Sequence, residues 1–389
     1  MEKKILLCVS GGIAAYKAID LASRLTKRGY RVRSVLTESA QRFVSALNFS
    51  AITGESAHIS LWEDADPIPH ITLADWADLV IVAPATANIM AKAAHGIADD
   101  LLSSILLSHT RPILFVPAMN VHMYGHPATQ SNIAALGERG NHFLEPAVGR
   151  LACGYEGRGK YPPNGEIVFA IRCYLERGGD MRGKKVLVTA GATAEPLEPM
   201  RTLTNRSSGK MGLAIARAFA LRGAEVTLIH GLMGEQPPYY LHDPVFTPTV
   251  GEMADAVLKD SKTYDIIVKC AAVSDFKPAK TSSKKIKKGG KLDLELVPTT
   301  DILAELGKIK PTKQKLVGFA AETQNLIENA TAKLKQKNLD LICVNHLDTA
   351  GSDETALTLI FAKAKTKPVK LSGDKFDVAL KLTDRILEL

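Results

Sequence analysis

Short apolar runs alternate with amphipathic segments along the whole chain. An apolar run over Lys3–Val9 ends at Ser10-Gly11-Gly12, and a helical pattern follows from Ile13 to Arg28 and stops at Gly29. Arg31–Leu36 reads as the next strand. Leu79–Ala83 and Ile113–Val116 are short β-branched runs, each closed by a proline, Pro84 and Pro117. Helical segments lie between them, around Ala87–Ala94, Leu101–Ser108 and Thr129–Arg139. Runs that are apolar throughout predict strands buried on both faces, and their alternation with helices predicts a parallel sheet covered on both sides.

The pattern then restarts. A basic stretch, Arg182-Gly183-Lys184-Lys185, leads into a strand over Val186–Thr189 and then Gly191. Ala192–Ser208 reads as irregular, and a helix follows from Lys210 to Arg222, closed by Gly223. Strands are expected over Glu225–Ile229, Asp265–Cys270, Leu316–Phe319 and Asp340–Val344. Helices are expected over Met253–Lys259 and Leu326–Lys337. The fold class is therefore α/β with two doubly wound domains, 1–180 and 181–389, meeting near Gly178-Gly179-Asp180. A chain of 389 residues is long enough for two cores.

Charge separates the halves further. Residues 1–180 balance, whereas 181–389 hold the whole excess of +8. Much of it sits in Lys277, Lys280, Lys284, Lys285, Lys287, Lys288 and Lys291, with no acid between the first and last. Such a run marks a solvated loop or a polyanion site. No aromatics are interleaved with these lysines as a stacking platform for nucleic acid requires, so a phosphorylated small molecule fits better. No apolar run reaches the length of a membrane span, and the N-terminal apolar stretch is too short for a secretion signal. Five widely spaced cysteines show no zinc spacing and point to a reducing cytoplasm.

Ligands in open α/β sheets bind beyond the carboxyl ends of strands. Ser10-Gly11-Gly12 precedes a helix N-terminus, where glycines let the backbone approach an anion; a plain tight turn is the alternative. Thr37, Pro84-Ala85-Thr86 and Pro117-Ala118-Met119-Asn120 also follow strands and suggest one crevice wall. Asn120 suits a carboxylate or a turn. His70 is a candidate acid/base or a packed histidine. Cys153 lies in a glycine-rich segment with Gly154, Gly157 and Gly159, which reads as a mobile flap around a reactive or inert thiol. Cys8, Cys270 and Cys343 fall inside strand patterns as packing. Asn205–Gly212 opens a helix with Ser, Gly and Lys. Asp275 follows a strand and suits Mg²⁺ carried by a nucleotide, or a loop. Lys333 and Lys337, four apart, share a helix face toward a triphosphate or toward water.

Taken in order, SGGIAAYK, PHITLADWADLVIVAPATAN, PAMN, LACGYEGRGK, TAGAT, NRSSGKMG, CAAVSDF, KKIKK, GFAAET and KNLDLICVN resemble one family over about residues 3–388. This is the bacterial bifunctional coenzyme A biosynthesis family, a phosphopantothenoylcysteine decarboxylase fused to a phosphopantothenate–cysteine ligase. The resemblance implies a flavodoxin-like N-terminal domain binding FMN and a Rossmann-like C-terminal domain using CTP and Mg²⁺. The implied ligase activates the carboxylate of 4′-phosphopantothenate as an acyl-cytidylate, and the cysteine amine displaces CMP. The implied decarboxylase then yields 4′-phosphopantetheine. A cysteinyl carboxylate has no electron sink for CO₂ loss, and oxidising its CH₂–SH to a thioaldehyde is a task for a flavin.

By this resemblance His70 serves as acid/base in oxidative decarboxylation, Asn120 binds the substrate carboxylate and Cys153 is the proton donor in enethiol reduction. FMN contacts fall on Ser10, Gly11, Gly12, Thr37, Thr86, Asn88 and Ser103. Asn205 processes the acyl-cytidylate and Lys285 helps form it. Nucleotide contacts fall on Lys269, Cys270, Ala271, Asp275, Thr300, Asp301, Ile302, Leu303, Phe319, Lys333 and Lys337. A homo-oligomer is implied, a dodecamer of trimers and dimers, with no nucleic-acid or membrane partner. Four places depart from the family pattern. Ala194 stands where an arginine is common, Asp99-Asp100 replaces a common Asn-Asp, Lys160 replaces a common Arg, and Pro298-Thr299-Thr300-Asp301 replaces the Asn-Pro-Asp of some members. The first half alone also resembles peptide-cysteine decarboxylases, flavin prenyltransferases and phosphatase regulatory subunits. A triphosphate clamp in the second half separates it from the first two, and the intact His70, Asn120 and Cys153 set from the last.

Overall fold

Five consecutive buried residues, Ile5–Val9, put strand β1 (Lys4–Val9) at the centre of the first sheet. The computed structural model describes residues 2–62, 67–287, 289, 292–321, 326–345, 352–363 and 366–389. The chain divides into two units, Met1–Gly178 and Gly179–Leu389. In the first unit, β2 (Arg31–Leu36) and β3 (Ala57–His58) extend the sheet on one side of β1. On the other side lie β4 (Leu79–Ala85), β5 (Leu114–Pro117) and β6 (His142–Phe143). All are parallel, in the order β3-β2-β1-β4-β5-β6, so the order reverses between β1 and β4.

Nine helices among the described residues connect and cover these strands: α1 (Ala15–Lys27), α2 (Glu38–Gln41), α3 (Ala46–Thr53), α4 (Pro69–Trp76), α5 (Ala87–His95), α6 (Leu101–Ser108), α7 (Val121–Gly125), α8 (Pro127–Glu138) and α9 (Asn164–Arg177). Leu6, Cys8, Val80, Val82 and Phe115 of the sheet bury one face against Ile89, Met90, Leu102 and Ile105 of α5 and α6. A separate antiparallel hairpin, β7 (Ala147–Arg150) and β8 (Glu156–Lys160), follows β6. One expectation changes here. Pro84 does not close its strand but lies inside it, as β4 runs to Ala85 through a cis Ala83–Pro84 peptide, whereas Pro117 ends β5 as expected. The β4–β5 register shifts between Val82 and Ala85, so the ladder does not need the missing N–H of Pro84.

The second unit repeats the plan around β9 (Lys185–Ala190). A hairpin of β10 (Ala194–Glu198) and β11 (Arg201–Thr204) occupies the stretch expected to be irregular. Next come α10 (Lys210–Leu221), β12 (Glu225–His230), β13 (Val245–Phe246), α11 (Val250–Lys259) and β14 (Ile266–Lys269). A small hairpin of β15 (Phe276–Pro278) and β16 (Leu296–Pro298) precedes α12 (Ile302–Ile309), β17 (Lys315–Ala321), α13 (Leu326–Gln336) and β18 (Leu341–Asn345). The chain finishes with β19 (Glu354–Phe361), β20 (Val369–Asp374) and α14 (Lys375–Leu387). The sheet order is β13-β12-β9-β14-β17-β18-β19-β20. The first six are parallel, whereas β19 and β20 pair antiparallel, so this sheet is mixed at one edge. Again the order reverses beside the first strand, between β9 and β14.

Arg222 anchors this unit from inside. It is 1% exposed. Its Nε and Nη2 donate to the two carboxylate oxygens of Asp180 at 2.9 and 2.5 Å, while Nη1 donates to Thr383 Oγ1 at 2.7 Å and Asp384 Oδ1 at 2.9 Å. One guanidinium thus ties the start of the unit, the C-terminal end of α10 and α14 together, and each of its three nitrogens donates to an acceptor. Replacing Arg222 by Met keeps much of the volume but strands these acceptors. The expected loss is about 2–4 kcal/mol of stability, read as a lowered urea midpoint of the full chain; an unchanged midpoint contradicts the anchor.

Candidate active site

The first crevice opens where β1 and β4 part. Ser10, 2% exposed, sits just past β1. Its hydroxyl donates to Pro84 O at 2.7 Å and accepts the Thr86 N–H at 3.0 Å. Thr86 then caps α5 by accepting the Ile89 N–H, and Thr37 caps α2 by accepting the Ala40 N–H. Gly11 lies against α2 so closely that a Cβ would fall 2.3 Å from Ser39 Cβ. Any side chain there would push the loop and the helix apart. Two neighbouring cavities result. One, of about 490 Å³, is lined by Ser10, Gly11, Thr37, Thr86 and Asn88, with Lys92 paired to Asp99 and Asp100 at its rim. The other, of about 520 Å³, shares Gly11 and Thr86 and is mostly apolar, with Ile13, Tyr16, Met119, Leu151 and Tyr161 in its wall.

Asn120 and Cys153 face this second cavity. Asn120 caps α7: its Oδ1 accepts the His122 N–H at 2.8 Å, which turns Nδ2 outward to donate to Cys153 Sγ at 3.2 Å. Cys153 occupies the turn between β7 and β8. That hairpin is pinned by Met119 N–H donating to Gly159 O at 3.0 Å. Gly159 has φ +153, and a Cβ on it would fall 2.3 Å from Met119 O. Cys153 is exposed, and hydrogen bonds from the Asn120 amide and then the Tyr155 N–H hold its thiol below the ordinary range. Burial instead pushes the Cys8 thiol far up and Cys270 up to about 12. Cys8, Cys173 and Cys343 are buried, while Cys270 lies just past β14 and is half-buried, outside the strand expected to contain it.

Two predicted residues stand apart. Ser103 is 1% exposed and lines neither cavity; it closes the capping box of α6 with Asp100. His70 lies on the first turn of α4, half-buried, with a buried Nδ1 that has no hydrogen-bond partner, and it lines neither cavity. Lys17 and Arg150, in the wall of the apolar cavity, carry no role in the sequence reading; the SGGIAAYK segment and the hairpin were the available signals.

In the second unit the β9–β14 mouth is organised in the same way. Thr189 Oγ1 accepts the Cys270 and Ala271 N–H groups, both at 3.1 Å, and Thr193 Oγ1 accepts the Ser274 N–H at 3.0 Å. Asn205, directly after β11, reaches across with Nδ2 to Val273 O at 3.0 Å. Asp275 is tied to the next segment by its carbonyl, which accepts the Thr299 N–H at 3.0 Å. Thr300 is exposed and Ile302 buried, with Leu303 and Phe319 half-buried behind. Asp301 caps α12 and pairs with Lys337 Nζ at 2.7 Å. Lys337 falls just past α13, but its N–H still bonds Lys333 O at 3.0 Å, so the two lysines remain one turn apart. Lys269 is 6% exposed and burial pulls its ammonium down to about 7. Ala194 is buried in β10. Lys285 is exposed on the loop after β15. Lys288 and Lys291 lie outside the described residues. No group of three metal-ligating side chains occurs among the described residues, and none of the helices there is long and apolar enough to cross a membrane.

Each unit matches a family of its own, and the first is a flavoprotein family. Residues 1–175 match the Flavoprotein family, and residues 181–389 match the DNA/pantothenate metabolism flavoprotein C-terminal domain. The coenzyme A biosynthesis bifunctional protein CoaBC of Bacillus subtilis (strain 168) is 43% identical over 397 residues, covering 100% of this chain and 97% of its own. Among solved structures, the C-terminal domain of a CoaBC protein is 36% identical, covers 54% of this chain and 96% of that one, and has a TM-score of 0.46. A PPC decarboxylase mutant complexed with pantothenoylaminoethenethiol is 31% identical, covers 45% and 100%, and has a TM-score of 0.41. The chain belongs to the bifunctional coenzyme A biosynthesis protein family. It is a two-activity enzyme, a phosphopantothenoylcysteine decarboxylase joined to a phosphopantothenate–cysteine ligase.

The Asn120 contact makes a direct prediction about the thiol. In Asn120→Ala, Cys153 loses its main thiolate-stabilising donor, so its pKa rises. The pH profile of Cys153 alkylation by iodoacetamide is expected to move to higher pH. A profile that stays in place contradicts the contact.

Proposed function

We propose that the first unit holds FMN across the β1–β4 mouth and decarboxylates 4′-phosphopantothenoylcysteine there. On this reading the second unit makes that substrate from 4′-phosphopantothenate, cysteine and CTP. The observation that carries the first part is the Asn120–Cys153 pair facing the cavity beside Gly11 and Thr86. Close backbone approach at Gly11, hydroxyls at Ser10, Thr37 and Thr86, and an adjoining apolar wall fit a phosphate tail and a planar ring. Bound FMN supplies the electron sink that no side chain here provides. Asn120 presents an amide to the substrate carboxylate and holds the Cys153 thiol in reach. Cys153, with its thiol pKa lowered, delivers a proton to the enethiol carbon and recovers it from solvent at the exposed hairpin turn. Its hairpin excludes water while it lies over the cavity. His70 acts from a second copy of the chain, because within one chain it lines neither cavity. This makes the working enzyme a homo-oligomer.

In the ligase unit, the loop Cys270–Asp275 holds the cytidine, with the backbone at Lys269–Ala271 reading the base. Asp301, Lys333 and Lys337 gather the nucleotide, and Asp275 meets Mg²⁺ that arrives with CTP, since the phosphates themselves complete the metal's oxygen shell. Lys285 stabilises charge that builds on the α-phosphate and the leaving pyrophosphate. Asn205 orients the acyl-cytidylate for attack by the cysteine amine. Ligation comes first, because the carboxylate that the decarboxylase removes is brought by cysteine.

Purified protein given 4′-phosphopantothenate, cysteine, CTP and Mg²⁺ is expected to release pyrophosphate and CO₂ in equal amounts. Cys153→Ser is expected to keep both releases in the first turnover and to accumulate the oxidised enethiol, detected by mass spectrometry. A Cys153→Ser enzyme that turns over like the wild type removes Cys153 from the reaction.

A further inference from the structure

The lysine-bearing loop between β15 and β16 has no ladder of its own over Thr281–Lys287, yet it carries three exposed like charges, Lys284, Lys285 and Lys287. Mutual repulsion and side-chain entropy both favour a spread of conformations for such a loop. What seats it is the β10–β11 hairpin. Thr281 Oγ1 donates to Pro196 O at 3.1 Å, and the Ser282 N–H donates to Leu197 O at 3.0 Å. The third tie is of a different kind. Glu198, 1% exposed, accepts the Ile286 N–H on Oε2 at 3.0 Å and Arg201 Nε on Oε1 at 2.9 Å. Arg201 Nη2 then donates to Ile286 O at 2.5 Å. The pair therefore grips the peptides on both sides of Ile286, and the first of these is the one that follows Lys285.

The local sequence builds this grip. Glu198-Pro199-Met200-Arg201 is a tight turn in which Glu198 and Arg201 face each other across the hairpin. The register shift between Pro196 and Glu198 turns the carboxylate inward. A buried carboxylate is stable only when charged partners and N–H donors surround it; here the Ile286 N–H belongs to the lysine loop, Arg201 completes the grip, and the Met200 N–H in the turn adds a third donor. We propose that Glu198 is a positioning residue of the ligase: by holding the Lys285–Ile286 peptide it fixes where the Lys285 ammonium stands when pyrophosphate leaves. This rests on the role given to Lys285 above.

The test uses the full-length chain with Glu198→Ala and Glu198→Gln, each alone and with Lys285→Ala. Glutamine keeps the shape and one acceptor but loses the charge. Pyrophosphate release from CTP and 4′-phosphopantothenate is expected to fall about tenfold or more in kcat for Glu198→Ala, less for Glu198→Gln, with KM for CTP little changed. In the Lys285→Ala background, Glu198→Ala is expected to cost less than about twofold further, because the two residues act as one. Native-state trypsin is expected to cut faster after Lys284, Lys285 and Lys287 in Glu198→Ala, mapped by mass spectrometry. Equal losses in both backgrounds overturn the proposal and make Glu198 a residue of the fold only. Unchanged kcat and unchanged cleavage overturn it as well. A wild-type rate for Lys285→Ala alone defeats the role of Lys285 itself, and the positioning role falls with it; a large Lys285 effect beside a silent Glu198 defeats the positioning role only.

Discussion

Both switch points depend on a buried hydroxyl at the carboxyl end of an inner strand of a sheet. Where neighbouring parallel strands diverge at a switch point, the ladder ends and leaves N–H groups without partners. Ser10 takes up the Thr86 N–H and gives its own proton to Pro84 O. Thr189 takes up the Cys270 and Ala271 N–H groups. Each such bond contributes only about 1 kcal/mol net, but a buried N–H left alone costs about 1–3 kcal/mol. The hydroxyls therefore let the loops after β4 and β14 turn away from their neighbours without that penalty. In the first unit, cavities of about 490 and 520 Å³ lie beside that turn.

Around those mouths the chemistry is divided cleanly. The first unit gathers an amide, a thiol with lowered pKa and an apolar wall, a set suited to redox and proton transfer on a small thiol. The second gathers lysines, aspartates and loop backbone, a set suited to a charged nucleotide. The same contrast appears within the cysteines, where burial raises the thiols of Cys8, Cys270 and Cys343 and hydrogen bonds lower that of Cys153. A member of the coenzyme A biosynthesis family with these two sets can make its intermediate in one unit and consume it in the other.

Much of this was legible in the chain. Apolar runs marked β1, β4, β9 and β14 because a strand buried on both faces needs no alternation, and the glycine loop after β1 suggested the first crevice. The β10–β11 hairpin was not legible, and Ala192–Ser208 read as irregular. Its stability comes from partners about 85 residues away in sequence, such as the Ile286 peptide. Edge strand β20 alternates half-buried and exposed positions and lacks the dense apolar signal of the central strands. The wall contribution of Arg150 depends on how the hairpin folds back, which the sequence marks only by its glycines, and that of Lys17 on α1 was signalled only by its segment. For His70 the residue type was suggestive, but its position on α4 could be seen only in three dimensions.

Co-crystals of the full chain grown with FMN and CTP show whether each switch point takes a ligand. Electron density for the isoalloxazine against Gly11, Thr86 and Asn120, and for the cytidine against Lys269–Ala271, is the predicted result. Density for either ligand elsewhere, with its mouth closed by protein side chains, would contradict the account.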